Sequence, residues 1–418
     1  MALILDWIRI LTAKLQRPAA APPSEEEKKG AGRVSNNKER TTTSKKQSSS
    51  LYLVFDDWSK GYTIRNLSLS SGDNPSSHLP APISRFEAQR GLPAHVAATF
   101  DSKIIATQPV LVPALSDDDG AAASSSVPSK NIVPVFDVRT RSLRYCPRPS
   151  PGHGADPVYF PVDGGRLFAL AAGGCFEVLR PPAADRTDRL PAPPFESRNV
   201  TSYALHPDGQ TIFVSVKKDA CVATFTFDTT DHALEDAGGN AWKPHGAWSL
   251  PFAGRGLYHP ELDAWVGLSR DDRGRLCSCD VMPPTTISEC DDASDDRQRL
   301  DRKLCRERMF NPESYEKHFG ATLVYMGGAR SNFCLVESIT IRDDDSDDEM
   351  DDDCKMEEEE EQDGSRSTSC RWIRLTTFCL KYDGSGNLTY GNSRHVRCYK
   401  APDAATEPML TSPVAFWM

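Results

Sequence analysis

Residues 201–218 read TSYALHPDGQTIFVSVKK, and the choice they pose, a lone hairpin or one copy of a repeated unit, decides the architecture. Asp208-Gly209 suits a tight hairpin turn, where glycine takes the left-handed backbone that other residues resist. Beyond it Ile212, Val214 and Val216 share one side and Phe213 and Ser215 the other, the period-two alternation of a strand. Comparable apolar segments follow polar or turn-forming residues in FDSKIIATQ (100–108), DGGRLFALAA (163–172), ELDAWVGLS (261–269) and GGARSNFCLVES (327–338). With Ile105, Phe168, Phe213, Trp265 and Phe333 as anchors, the intervals are 63, 45, 52 and 68 residues. A second element recurs as a strand ending in aspartate before a polar turn, at Asp137, Asp228, Asp280 and Asp383. Phe213 to Asp228 and Trp265 to Asp280 are both fifteen residues, so the opening stretch is one copy among several.

Small antiparallel sheets repeating at this period predict an all-β fold, a β-propeller. One such sheet cannot bury both faces alone; packing sheets around an axis does so, and closing the ring removes most exposed edges. Five anchors plus RLTTFCLKYDGSGNLTYGNSRHVRCYK (374–400) give about six blades, with five or seven also compatible. Residues 50–70 are expected to lend an early strand to the last blade; a twisted pair of β-sandwiches is the structural alternative. The long intervals hold a polar loop, SDDDGAAASSSVPS (116–129), and an insertion over 283–316, where Leu300 and Leu304 at i,i+4 predict a short helix.

The flanks differ in kind. Residues 1–16 place Leu3, Ile4, Trp7, Ile8, Leu11 and Leu15 on one helical stripe, to dock on the protein's own body or, in the sharper reading, on a membrane surface or partner. Asp6 and Glu25 to Glu27 argue against an organellar transit peptide. Residues 17–50, with almost no large apolar side chains, read as a disordered linker, leaving 51–418 for the propeller. The net charge of −10 is concentrated: residues 343–363 hold fifteen acids and one lysine, and a disordered acidic insertion is expected over 343–369. Without that run the chain is near neutral, which predicts no nucleic-acid groove. No stretch reaches the roughly 18 apolar residues of a membrane span. Twelve scattered cysteines and no recognisable export signal point to free thiols in a reducing compartment, cytoplasmic or nuclear; the pairs Lys28-Lys29 and Lys45-Lys46 would serve a nuclear address.

LYLVFDDWSKGYTIRNLSL (51–69), VPVFDVRTRSL, CSCDV, GATLVYMGGARSNFCLVES, LKYDGSGNL and SPVAFWM together resemble a large family of grass proteins catalogued as a domain of unknown function. The resemblance covers nearly all of 51–418. It implies a plant origin and a propeller-like fold reminiscent of kelch and F-box-associated domains, and it carries over no catalytic residue.

Chemistry is sparse. Cys277-Ser-Cys279 projects two thiols to one side of a strand, but no nearby histidine or second cysteine pair completes a tetrahedral set, so buried thiols are the better reading and no metal or cofactor is expected. No nucleophile elbow, HExxH, P-loop or dinucleotide fingerprint is present. The preferred function is a noncatalytic platform for a protein partner, whose candidate contacts, chosen as loop positions, are Arg139, Arg141, Arg255, Tyr258 and His259. The alternative is a propeller enzyme, a hydrolase or metal-dependent lyase or oxidase, which would gather three or more acids, histidines or tyrosines in a channel pocket.

Overall fold

Strand alternation dictates the packing of this chain, because a strand with apolar residues on both sides must meet a neighbour on each. The computed structural model describes residues 49–69, 78–107, 110–112, 130–147, 157–162, 165–179, 187–230, 242–284, 300–311, 316–328, 332–341 and 370–418. The expected helix over 1–16, most of the linker over 17–50 and the acidic insertion over 343–369 lie outside the described residues.

The strands run in chain order as antiparallel meanders. The first sheet holds β1 (Leu51–Trp58), β2 (Gly61–Leu67) and β3 (Ser84–Glu87). The second holds β4 (Val96–Thr99), β5 (Lys103–Ala106), β6 (Val110–Val112), β7 (Lys130–Asp137) and β8 (Ser142–Pro147). Here β5 and β6 both pair with the same side of β7, so they are two halves of one interrupted strand. The third holds β9 (Val158–Val162), β10 (Arg166–Leu170), β11 (Phe176–Leu179) and β12 (Thr187–Leu190). The fourth holds β13 (Val200–Leu205), β14 (Thr211–Lys218), β15 (Cys221–Asp228) and β16 (Trp242–Gly246). The fifth holds β17 (Gly254–His259), β18 (Ala264–Leu268), β19 (Leu276–Asp280) and β20 (Arg302–Leu304). The sixth holds β21 (Glu316–Gly327), β22 (Asn332–Ile341), β23 (Cys370–Cys379) and, after a hairpin of β24 (Lys381–Tyr382) and β25 (Leu388–Thr389), β26 (His395–Lys400). A short helix, α1 (Glu407–Thr411), then leads to β27 (Val414–Trp417), which pairs with β1 and completes the first sheet.

Side-chain packing links these sheets in a cycle. Ile104 and Phe136 of the second sheet join the core of the first, while Ile105 and Val135 face Leu167 and Ala169 of the third. Phe168 and Phe176 turn to Ile212, Val214 and Phe227 of the fourth. Ala204 and Phe213 meet Trp265 and Cys279 of the fifth, and Val266 and Leu276 meet Phe333 and Leu335 of the sixth. Cys334 and Val336 then join the core that contains Leu51 and Leu53 of the first. Alternate residues of single strands serve successive interfaces, which is the packing of a β-propeller. First strands approach one another: β13 pairs in parallel with β17 through Ser202–Gly254 and Ala204–Gly256. A Cβ on Gly256 would lie 2.6 Å from the Phe252 ring, so the seating of that ring against β17 requires glycine.

Three sequence expectations are corrected. Residues 374–400 are not a blade of their own; they fall in β23 to β26 of the sheet whose second strand carries Phe333, because β23 pairs with β22. Leu51–Leu67 do meet the chain's last strand, but as β1 and β2 of a sheet of their own and not as one added strand, because β1 finds β2 on one edge and β27 on the other. Leu304 lies in β20, not in a helix, where Cys277–Cys279 offer backbone partners to Arg302–Leu304. Closure is reinforced by Asp56, fully buried, whose carboxylate accepts the Gly91 amide (2.8 Å), the Thr406 amide (2.9 Å) and the Thr406 hydroxyl.

Candidate functional site

Between the fifth and sixth sheets the connections β18–β19 and β20–β21 border the start of β21. They enclose a cleft of about 470 Å³ lined by Arg273, Arg308, Phe310, Asn311, Glu316, Lys317 and His318. Its floor is set by local backbone chemistry. Gly274, at φ +86°, lies against the Phe310 ring, where any Cβ would come within 2.8 Å. Phe310 stacks on His318 with centroids 4.5 Å apart and planes at 13°. Asp272 holds Arg275 and Arg308 at 3.0 Å each, tying the two connections together.

Behind the floor lies a buried ion cluster. The Arg374 guanidinium donates from Nε and Nη2 to the two oxygens of Glu337, both at 3.0 Å, and from Nη1 to both oxygens of Glu316, at 3.1 and 2.8 Å. His318 Nδ1 lies 3.3 Å from Glu337, and its Nε2 lies 3.3 Å from the Asn311 carbonyl oxygen. Burial opposes ionisation of Glu316, but hydrogen bonds from Asn311 and Arg374 and the Arg374 charge outweigh it and hold the carboxyl below its usual range. Burial likewise works against the Arg374 charge, and the two carboxylates more than reverse it, raising its pKa. The cluster thus has its carboxylate oxygens engaged and acts as a rigid support. The cleft itself presents exposed guanidiniums: Arg273 donates weakly to the His318 carbonyl at 3.4 Å and Arg308 pairs with Asp272, while the Lys317 ammonium turns aside to lie 5.2 Å over the Phe319 ring. Such an arrangement can hold an anion.

The residues proposed from sequence fall elsewhere and do not converge. Arg139 and Arg141 occupy the exposed β7–β8 turn, where Asp137 accepts the Arg139 amide at 2.9 Å. Arg255, Tyr258 and His259 lie in strand β17, not in a loop. Arg255 is exposed; Tyr258 donates to Asp263 at 2.8 Å. His259 is fully buried, its Nδ1 accepts the Leu262 amide at 3.2 Å, and burial holds its pKa low, so it braces the β17–β18 turn. Cys277 and Cys279 are both buried, and burial pushes the thiol of Cys277 up to about 12. Among the described residues no group of three His, Cys, Asp or Glu is placed to hold a metal ion. The cluster of Arg374, Glu337, Glu316 and His318 was missed, although one signal existed: Glu337 and Arg374 are opposite charges inside apolar strands, FCLVESITI and WIRLTTF.

A family model described as a protein of unknown function (DUF1668) matches residues 48–399. No curated protein matches the sequence. Solved structures with some likeness include one of a nidogen/laminin complex, at 10% identity, covering 71% of this chain and 89% of that one, with a TM-score of 0.36. TolB from Acinetobacter baumannii shares 11% identity over 70% of this chain and 61% of its own, with a TM-score of 0.28. The PQQ domain of pyranose dehydrogenase from Coprinopsis cinerea shares 8% identity over 60% and 84%, with a TM-score of 0.23. Scores this low leave the fold to be assigned from the chain's own strand order and packing.

Proposed function

From a chain that belongs to the DUF1668 family of proteins of unknown function, we propose a noncatalytic propeller of six blades, one per meander, serving as a platform for a protein partner. The observation that supports it is the cleft between the fifth and sixth sheets: an open rim carries exposed cations while the neighbouring carboxylates are tied to Arg374. A ring whose sheets brace each other in a cycle keeps such a rim rigid, which lowers the ordering cost of docking. Arg139, Arg141, Arg255 and Tyr258 are proposed as further contacts. The propeller is proposed to span 51–418, with the appendages 1–16 and 17–50 and the insertions 283–316 and 343–369 as peripheral additions. The setting is a plant cell's cytoplasm or nucleus, with a kelch-like adaptor role.

The test is affinity purification of the full chain from plant tissue. A stoichiometric partner, retained through washing and lost from a variant reversed in charge at Arg273 and Arg308, is the expected result. The second reading, an enzyme, draws on the convergence of Glu316, Glu337 and His318 within one cluster. Turnover in a hydrolase and oxidase screen, abolished by Glu316→Gln, together with no retained partner, would reverse the order of the two.

A further inference from the structure

We infer that the cleft between the fifth and sixth sheets is an oxyanion site that takes a carboxylate- or phosphate-bearing segment of a polypeptide. This deepens the platform reading and rests on it for the kind of partner. Two guanidiniums reach the cleft from separate connections, Arg273 between β18 and β19 and Arg308 after β20. Lys317 lines it from β21, but its ammonium lies over the Phe319 ring, on the strand face opposite His318. Among the described lining residues the one carboxylate is Glu316, and both its oxygens accept from Arg374. Asp272 is shared between Arg275 and Arg308, through one oxygen each. Arg308 therefore commits one of its five N–H donors to that bond and keeps a fork for another acceptor.

Like charges drawn from two connections onto one small volume repel each other. An arriving anion relieves that repulsion and gains charge-assisted hydrogen bonds. The support is already ordered by the Gly274–Phe310–His318 stack and by the Arg374 cluster, so little reorganisation opposes binding. A nucleic acid fits less well. The Phe310 ring is covered by His318, leaving no open aromatic platform there.

The test is fluorescence anisotropy on the full chain with four labelled probes: a glutamate-rich hexapeptide, a phosphoserine hexapeptide, a neutral serine/glutamine hexapeptide and a single-stranded oligonucleotide. Inorganic phosphate serves as a competitor. The acidic peptides are expected to bind and the neutral one not, with binding weakened by added salt. Arg308→Ala and Arg273→Ala are each expected to weaken acidic-peptide binding about ten-fold, the loss of one charge-assisted contact. Arg144→Ala, which removes an exposed cation on β8, is expected to leave it unchanged. Comparison of the two acidic peptides tells carboxylate from phosphate as the preferred group. Equal binding of neutral and acidic peptides, equal losses in all three variants, saturation by phosphate with no gain from a peptide, or tighter binding of the oligonucleotide would each overturn the proposal. Acidic probes that bind a chain with no partner in affinity purification leave the cleft standing and remove the platform. A partner retained undiminished by Arg273→Ala does the reverse.

Discussion

Glu316 has the most informative titration in the molecule. Its carboxyl is almost fully covered, yet hydrogen bonds from Asn311 and Arg374 hold its folded-state pKa below the ordinary glutamate value. Between the folded pKa and the unfolded value of about 4.3 the unfolded chain binds more protons, so stability rises with pH in that window. The contribution is complete above the unfolded value and disappears as pH falls through the folded one. Glu316→Gln leaves Arg374 with Glu337 alone and is expected to cost about 1–3 kcal/mol at pH 7. Urea unfolding midpoints of the two proteins, measured from pH 7 to pH 3, should converge as the acid limb is reached; a gap that stays constant would show that ionisation of Glu316 contributes nothing. The cost of burying these charges also explains why they come as a saturated set, since removing one partner leaves another uncompensated.

At the level of strands, the close approach of elements sets what each position tolerates. Gly320 on β21 lies so near the Thr411 backbone that a Cβ there would overlap the carbonyl, and backbone cannot step aside as a side chain can. Gly384, in the turn after β24, has open space around it. Gly320→Ala is expected to cost about 1–3 kcal/mol, the range for overpacking, while Gly384→Ala stays within about 1 kcal/mol of the parent. Thermal unfolding of both variants checks this, and equal midpoints would contradict the packing of α1 against β21. Strand chemistry of this kind was readable from local sequence. Asp208 accepts the amides of Gln210 and Thr211 at 2.7 and 2.8 Å, and Leu205 pairs with Ile212, as the Asp-Gly signal required. The five anchors, from Ile105 to Phe333, all fall on the second strand of a meander, in β5, β10, β14, β18 and β22. These second strands stand out in sequence because they are buried on both faces and so read as near-continuous apolar runs between turn residues. The ion cluster of Arg374 was not legible, because its members come from β21, β22 and β23 and only pairing register brings them together. Choosing contacts by turn residues failed at His259 because a Pro after it marks a strand's end as readily as a loop.

For the whole molecule the decisive seam is the one local patterning conceals, the return of the chain's last strand to its first. β27 pairs Val414–Trp417 with Val54–Leu51, and the Thr322 hydroxyl donates to the Pro413 carbonyl at 2.5 Å, so one short segment bridges the sixth and first sheets. A cyclic stack loses more than one strand when it opens, because the cores on both sides of the gap lose a wall. Deletion of residues 414–418 strips Val414, Phe416 and Trp417 from the core of the first sheet and leaves Leu51 to Val54 as a bare edge. Partial burial of three such side chains corresponds to about 3–6 kcal/mol. The truncated chain is expected to unfold at a lower urea midpoint and to associate with rising concentration, since an unpaired apolar edge is a template for another strand. Adding the peptide SPVAFWM in trans should restore the midpoint in proportion to its concentration, because the peptide binds the folded ring and not the unfolded chain. A scrambled peptide of the same composition should not. An unchanged midpoint after truncation, or equal rescue by the scrambled peptide, would mean that the first sheet holds without its fourth strand and that the ring is not sealed there.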